Sequence, residues 1–367
     1  MAPEASLRCR RAARKQDRCV SIRVGFRRWA QLALVALTAC SAGEPDEAGP
    51  PQAVSELVVY SSLSHSRTLA VANDYRESTG ITVNFLIDSA NELVASMAEK
   101  RHQPPPDVLL TSGTGVIAGA LDEDVLRPVS LETPEDLDPQ VPLDPDGYWF
   151  GLGYSVDGIL IGDAIDPDAV LAYADLSSQQ FEDRLCLRRG HSERQRTLVA
   201  ALLSDGSPRD VELAVRGWRR NAAAVPIEDT SSVAQGLMSK RCDAAILGSD
   251  TAYALGLIGS DSPLRFVLPR QDSGGAVLHP TIAGVTRHAR DPEGARALVQ
   301  WLLGAAGQRA LHAEGNEYPA ISSLEPAAEL QAARDALSVV ATPTDAAFVY
   351  EDALRLIERA GYRRPAE

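Results

Sequence analysis

The chain has 367 residues, of which 45% are hydrophobic and 23% are charged, and its formal net charge at pH 7 is −14. This composition excludes a disordered polypeptide and gives enough length for two lobes, each with its own apolar core. The acidic balance argues against a nucleic-acid partner, because proteins that bind phosphate backbones carry a surplus of Lys and Arg.

The first forty residues have the order of a bacterial export signal. A run of nine basic residues precedes an apolar stretch from Trp29 to Ala39, and Cys40 follows it. The stretch is shorter than the roughly 20 residues that a spanning helix needs. Leu37–Cys40 (LTAC) is similar to a lipobox, in which the cysteine becomes the lipidated first residue. We therefore expect residues 1–39 to be a lipoprotein signal peptide, with a short buried helix as the alternative.

Removal of that segment leaves 27 basic and 48 acidic residues, a formal charge of −21. Residues 41–52 contain three prolines and two glycines, so we expect residues 40–54 to be a flexible tether. Only Cys186 and Cys242 then remain in the folded part. Export permits a disulfide between them, and two buried thiols are the alternative.

Alternating strands and helices open the folded part. Apolar strand patterns at residues 57–60, 81–87 and 107–111 are each followed by a helical pattern, which predicts a parallel sheet with right-handed crossovers. The polar turns Ser61–His65 and Ser112–Gly115 follow the first and third strands. They therefore lie on one edge of the sheet and can form one wall of a cleft.

The second half repeats the pattern. A strand at Arg184–Arg188 leads through a polar turn into a helix from about Ser192, where backbone N–H groups favour an anion. Further helices are predicted at residues 207–221, 231–240, 292–313 and 346–360. Further strands are predicted at 244–247, 266–268 and 282–286, and a polar turn at Gly248–Thr251.

The motifs of common enzymes are absent. The sequence has no His-Glu-x-x-His, no P-loop Gly-Lys-Ser/Thr and no Cys-x-x-Cys. Gly153–Gly158 approaches a nucleophile elbow, but its second glycine is one place late, and its apolar setting indicates core. We therefore predict a protein that is not an enzyme, with an exported hydrolase as the weakest alternative.

Seven segments carry a resemblance to a known family. In order and content they resemble the periplasmic ferric-iron-binding proteins of ABC importers. The segments are Leu57–Ser62, Thr79–Val83, Pro106–Leu110, Trp149–Gly151, Arg184–Arg188, Cys242–Ile246 and Glu317–Pro319.

The resemblance implies an α/β, two-lobed periplasmic-binding-protein fold with discontinuous lobes joined by crossing strands. Lobe 1 is expected at residues 55–150 plus about 271–325, and lobe 2 at 151–270 plus about 326–367. The implied function is a lipid-anchored extracytoplasmic solute-binding protein, on the periplasmic or cell-surface face of a bacterial membrane. It would capture ligand between its lobes as a monomer and deliver it to an ABC permease and its ATPase.

The family's iron ligands are largely replaced. The positions where many members carry histidine and tyrosine ligands hold Ser64 and His65, Arg194, and Asp250 and Thr251, and relatives with a glutamate after the third strand find Ser112. Fe(III) prefers anionic oxygen ligands. The metal candidates that remain are His65, Asp250 and Tyr253, and Fe(III) is the one cofactor or cargo metal that the resemblance suggests.

These replacements favour a second hypothesis for the chemical class of the ligand. Arg194 brings a fixed positive charge that opposes a cation, and Arg188 adds another. An anionic or organic solute (a phosphonate, an oxyanion or a polyamine) is therefore the alternative to iron, as is a sensor-coupled or decayed binding module. The full predicted ligand set is Ser62, Ser64, His65, Ser112, Thr114, Arg188, His191, Ser192, Arg194, Asp250, Thr251 and Tyr253.

Overall fold

The computed structural model describes residues 56–99, 104–190, 192–227, 229–270, 275–334, 337, 339–340 and 347–362. The predicted signal peptide, Cys40, the tether and His191 lie outside the described residues. Within these ranges, no helix combines the length and the apolar character that crossing a membrane requires.

Strands and helices alternate through the first third of the chain, as the sequence predicts. The strands are β1 (Glu56–Ser61), β2 (Thr82–Ile87), β3 (Val108–Ser112), β4 (Phe150–Ile161), β5 (Ala244–Gly248), β6 (Arg265–Val267), β7 (Ala276–Val285), β8 (Tyr318–Pro319) and β9 (Val339–Val340). The helices are α1 (His65–Thr79), α2 (Ala90–Ala98), α3 (Thr114–Asp122), α4 (Glu193–Asp205), α5 (Pro208–Arg220), α6 (Thr230–Met238), α7 (Ser249–Ala254), α8 (Pro292–Leu303), α9 (Ala305–Leu311), α10 (Ala328–Arg334) and α11 (Ala347–Arg359).

The central sheet has the strand order β2-β1-β3-β7-β4-β5. The first three strands are parallel, which confirms the prediction. β7 runs antiparallel to both β3 and β4, so the sheet as a whole is mixed. The two long strands, β4 and β7, lie side by side at the centre of the sheet.

Two groups of apolar clusters define the lobes. We call lobe 1 the elements β1–β3, α1–α3, α8 and α9, whose side chains pack around residues such as Leu57 and Ile117. We call lobe 2 the elements α4–α7, β5, β6 and α11, which pack around residues such as Trp218 and Leu247. The exact residue limits of the lobes stay a prediction.

Strands β4 and β7 cross between the lobes. Phe150 and Leu152 of β4 pack in lobe 1, whereas Ile159 and Ile161 pack in lobe 2. β7 returns in the opposite direction, from the lobe 2 cluster into that of lobe 1. The two strands therefore run without a break from one lobe to the other. They form the floor of any site between the lobes.

Three predicted elements are corrected by the structure. The single helix over 292–313 is two helices, because Gly304 is extended, ending α8 and preceding α9. The predicted strand at Arg184–Arg188 forms only isolated bridges, at Leu185 and Arg188. The predicted turn Gly248–Thr251 is the start of α7, since its backbone turns helical directly after β5.

A disulfide bond joins Cys186 to Cys242. It connects the segment before α4 with the segment before β5, and both cysteines are buried. Gly236 on α6 packs against it, since a Cβ there would lie 2.6 Å from the Cys186 sulfur. The bond therefore fastens the loop that carries Arg188 to the sheet of lobe 2.

Removal of this disulfide should destabilise lobe 2. The bond closes a loop of 56 residues. A cross-link of that size lowers the conformational entropy of the unfolded chain, which stabilises the folded state by about 3–4 kcal/mol. We expect dithiothreitol to lower the melting temperature of the exported protein. The Cys186→Ala/Cys242→Ala double variant should melt at the reduced temperature and ignore the reductant. A melting temperature that is the same in both redox states would contradict this.

Candidate functional site

A cleft of about 300 Å³ lies where the two lobes meet above β4 and β7. Its lobe 1 wall follows β1 and β3, its lobe 2 wall carries the start of α4 and α7, and its floor is formed by the crossing strands. The lining residues are Ser62, Ala90, Ser112, Gly113, Ser155, Arg188, Glu193, Arg194, Asp250, Thr251, His279 and Glu317.

The floor carries polar side chains inside otherwise apolar strands. Ser155 on β4 and His279 on β7 are direct cross-strand partners. Asp157 lies two residues beyond Ser155, hence on the same face of β4. All three are almost completely buried.

Asp157 is the centre of a charged network. Its Oδ1 accepts a hydrogen bond from Arg194 Nε at 2.6 Å, and its Oδ2 is 2.8 Å from His279 Nε2. Arg194 also donates to Ser155 Oγ at 3.1 Å and lies 3.1 Å from Asp250 Oδ1. Arg194 on α4 is therefore bonded both to the floor and to α7.

These contacts fix the charge states. Burial alone would raise the pKa of Asp157, but Arg194 and His279 outweigh it and lower that pKa to about 2. Burial would lower the pKa of Arg194, but Asp157 and Asp250 outweigh it and raise it. Both groups are therefore ionised at neutral pH, and Arg194 has much of its charge balanced by the protein.

Arg188 brings a second guanidinium to the cleft. Its backbone carbonyl accepts a hydrogen bond from Tyr362 Oη, and Gly190 packs tightly under Ile357 of α11, so the turn is fastened to the C-terminal helix. Burial is the largest effect that lowers the pKa of Arg188, and the positive charge of Arg194 is the second. An anion beside Arg188 would offset both effects.

The lobe 1 wall is made of hydroxyls and backbone. Ser62 Oγ lies 2.8 Å from Thr111 Oγ1 and 3.4 Å from the Ser112 nitrogen, which joins the ends of β1 and β3. The two polar turns thus meet at one edge. Gly113, at the start of α3, has a φ of 94°, in the left-handed region that glycine tolerates.

Glu317 closes the floor near lobe 1 and is itself paired. Arg67 donates to both of its oxygens at 2.8 Å, and Thr281 Oγ1 donates to it at 3.0 Å. Burial would raise the pKa of Glu317, but Arg67 and His312 outweigh it and lower it. Its charge is compensated within the protein, so it adds little attraction for a cation.

Half of the predicted ligand set lines this cleft. The lining members are Ser62, Ser112, Arg188, Arg194, Asp250 and Thr251. Ser192 caps α4 and lines a small extension of about 20 Å³ behind Arg188 and Arg194, which is room for about one water.

The other described members have different positions. Ser64 caps α1, where its hydroxyl accepts from the Arg67 nitrogen, and His65 is the exposed first residue of that helix. Thr114 is buried with its hydroxyl 2.5 Å from Tyr350 Oη. Tyr253 packs against the apolar cluster around Tyr154. None of the four is among the residues that line the cleft.

The predicted metal candidates His65, Asp250 and Tyr253 are therefore not gathered in the cleft. Across the described residues, no group of three or more His, Cys, Asp or Glu side chains is placed to hold a metal ion. No tyrosine is among the described lining residues. Among the described lining residues, Asp250 and Glu317 are paired with arginines, so this donor set does not offer a bare Fe(III) ion the free anionic oxygens that it prefers.

Sequence reasoning missed six lining residues: Ala90, Gly113, Ser155, Glu193, His279 and Glu317. The sequence indicates core for Gly153–Gly158, and all of β4 is indeed buried, but Ser155 lines the cleft and Asp157 lines its small extension. A charged residue inside a buried apolar run needs a partner. Asp157 was therefore a usable signal in the sequence.

Comparison with known proteins gives the following similarities. The profile of a family described as bacterial extracellular solute-binding protein matches residues 70–337. Iron uptake protein A1 of Synechocystis sp. is 25% identical over 287 residues, which cover 76% of this chain and 79% of that protein. The major ferric iron-binding protein of Neisseria meningitidis is 24% identical over 327 residues, covering 85% and 94%.

Solved structures show the same fold. The Trichodesmium protein IdiA (FutA), in complex with iron and citrate, superposes with a TM-score of 0.74 at 21% identity, covering 84% of this chain and 100% of that one. AfuA of Actinobacillus pleuropneumoniae, with bound fructose-6-phosphate, superposes with a TM-score of 0.65 at 14% identity, covering 83% and 97%. The predicted two-lobed periplasmic-binding-protein fold is thereby confirmed.

The charge of Asp157 should govern the acid stability of the protein. The Asp157→Asn variant leaves Arg194 and His279 facing a neutral amide, so we expect a loss of about 3–5 kcal/mol in the free energy of unfolding at pH 7. The pKa of Asp157 is about 2 in the folded state, against the usual 3.8. The stabilisation is therefore fully present above pH 4 and is lost as the pH falls towards 2.

Urea denaturation at pH 7, 4 and 2.5 measures this. The difference between wild type and Asp157→Asn should shrink over the lowest interval. Asp124→Asn is the matched control, because Asp124 forms an exposed pair with Arg287 and should cost less than about 1 kcal/mol. Equal losses in the two variants, or a difference that ignores pH, would refute the assignment.

Proposed function

The chain belongs to the bacterial extracellular solute-binding protein family, whose profile matches residues 70–337, and from this we propose that it is the lipid-anchored capture component of an ABC importer. It binds one small anionic solute in the cleft between its lobes and delivers it to a permease and its ATPase. Cys40 holds it at the outer face of a bacterial membrane.

The observation that carries the ligand class is the pair of guanidinium groups on the lobe 2 wall. Arg194 is anchored by Asp157, Ser155 and Asp250, and Arg188 lies beside it with a pKa lowered by burial and by that neighbour. Arginine forks bind carboxylate and phosphate oxygens with two parallel hydrogen bonds. An anionic group on the solute would stabilise Arg188, whereas a bare cation would meet repulsion.

The opposite wall supports the same reading. Ser62 and Ser112 present hydroxyls at the ends of β1 and β3. Such hydroxyls can hydrogen-bond the oxygens of a carboxylate or phosphate that approaches from the other lobe. Closure of the lobes would then complete the contacts, since a solute can draw them together only by binding the closed form better.

A ferric complex is the second candidate, and the names of the relatives favour it. Several are called iron uptake or ferric iron-binding proteins, and one neighbour was solved with both iron and citrate. A ferric chelate that carries its own carboxylates presents an anionic surface to Arg188 without needing tyrosine ligands. The shared chemistry of the two candidates is an anionic oxygen group at the arginines.

Binding assays separate these sources. We expect calorimetric titration to detect citrate, inorganic phosphate or ferric citrate, and no binding of ferric ion supplied alone. Arg188→Ala should weaken the best anion by at least about ten-fold, because a charge-assisted bond is worth about 1.5–3 kcal/mol. Arg216→Ala removes the same charge from an exposed helix position and should change nothing. Uptake of bare ferric ion with a visible absorption band would refute the anion reading.

Lipid anchoring has its own test. In a bacterial host that processes lipoproteins, the wild-type chain should fractionate with membranes. Cys40→Ser should move it to the soluble extracytoplasmic fraction or leave the signal peptide uncleaved. Cys19→Ser, within the same predicted signal peptide, is the control and should still fractionate with membranes. Membrane association and signal cleavage that are both unchanged in Cys40→Ser would exclude the anchor.

A further inference from the structure

The first turn of α3 is a point of contact between lobe 1 and lobe 2 beside the cleft. α3 packs into lobe 1 through residues such as Val116, Ile117 and Ala120. Its Ala118 belongs instead to the lobe 2 cluster, together with Tyr350 of α11. The same short helix therefore contributes to the cores of both lobes.

Two side chains of lobe 2 contact this turn. The Glu193 carboxylate lies directly over Gly113, since a Cβ there would be 2.3 Å from Glu193 Oε1 and 2.7 Å from Oε2. Tyr350 Oη lies 2.5 Å from Thr114 Oγ1. The Tyr350 ring covers Gly115, where a Cβ would lie 2.8 Å from Cε1.

Both contacts favour association of lobe 2 with the first turn of α3. α3 begins at Thr114 without a side-chain cap, so its first backbone N–H groups attract a negative charge. Glu193 supplies one from the other lobe, and Thr197 donates a hydrogen bond to its Oε1 at 2.8 Å, which orients it. Thr114 and Tyr350 are nearly fully buried, so their mutual hydrogen bond satisfies two hydroxyls that water does not reach.

We propose that residues Gly113–Gly115 form a latch seat, and that Glu193 and Tyr350 hold lobe 2 on it even without solute. The latch raises the population of the closed form, and a solute that binds that form gains affinity in proportion. Glu193 and Tyr350 are thus positioning residues that act through closure. The inference deepens the proposed function, but its first readout needs no solute.

Glycine at 115 allows a sharp test. Gly115→Ala places a methyl group against the Tyr350 ring, whereas Gly119→Ala on the same helix meets nothing within 4 Å. Both substitutions raise helix propensity equally. We expect small-angle X-ray scattering of the solute-free protein to give a larger radius of gyration for Gly115→Ala than for wild type, and an unchanged radius for Gly119→Ala.

Two further variants cover the case in which Gly115→Ala perturbs folding. Tyr350→Phe removes only the hydroxyl, and Glu193→Gln removes only the charge. Each should also enlarge the solute-free protein and leave far-UV circular dichroism unchanged. In a Tyr350→Ala background, Gly115→Ala should have no additional effect, because the obstacle is gone. Radii that match wild type in Gly115→Ala, Tyr350→Phe and Glu193→Gln would overturn the latch.

The second readout links the latch to binding. If the solute binds the closed form, Gly115→Ala should raise its Kd by about five-fold or more, and Gly119→Ala should leave it unchanged. A changed radius of gyration with an unchanged Kd would support the latch but contradict its coupling to solute binding. Loss of all solute binding in wild type would contradict the proposed function and leave the scattering result standing.

Discussion

The buried carboxylate of Asp157 is the constraint on which the cleft depends. An ionised group inside a strand is tolerated only when its charge is compensated, and Arg194 and His279 provide this at 2.6 and 2.8 Å. The three residues belong to β4, α4 and β7. One carboxylate therefore connects both crossing strands to the first helix of lobe 2, which follows the turn that carries Arg188.

Charge balance, more than fold, separates the ligand classes. Asp157 and Asp250 are paired with Arg194, and Glu317 is paired with Arg67. Glu193 faces the start of α3. The acidic residues of the cleft are thus largely satisfied inside the protein, while burial, followed by the charge of Arg194, lowers the pKa of Arg188. The same fold occurs in a protein solved with iron and citrate and in one solved with a sugar phosphate, so the fold alone does not determine the ligand.

Local patterns in the sequence predicted most of the fold. The alternation of strands and helices, the parallel β1–β3 unit and the meeting of the two polar turns follow from short-range periodicity. The helix break at Gly304 could not be predicted in this way, because apolar residues continue at helical spacing from α8 into α9. The segment around Leu185 was predicted as a strand, yet its pairing depends on Ala222 and Ala244, which lie far away in the chain.

The candidate site was predictable only in part. Residues at the end of a strand or the start of a helix, such as Ser112 and Arg194, could be placed by topology. Ser155 and His279 could not, because their role depends on the antiparallel pairing of β4 with β7. Ser64 was read as a ligand because the position matches the family's motif, but its hydroxyl is used to cap α1.

We propose that an anionic oxygen group binds at Arg188 between the lobes. A crystal structure of the protein with the anion that raises its melting temperature most tests this directly. We expect anion oxygens within hydrogen-bond distance of the Arg188 guanidinium. Arg194 should still be bonded to Asp157, and Ser62 or Ser112 should contact the anion from the opposite wall. An anion bound elsewhere, or a ferric ion coordinated by side-chain oxygens in the cleft, would contradict it.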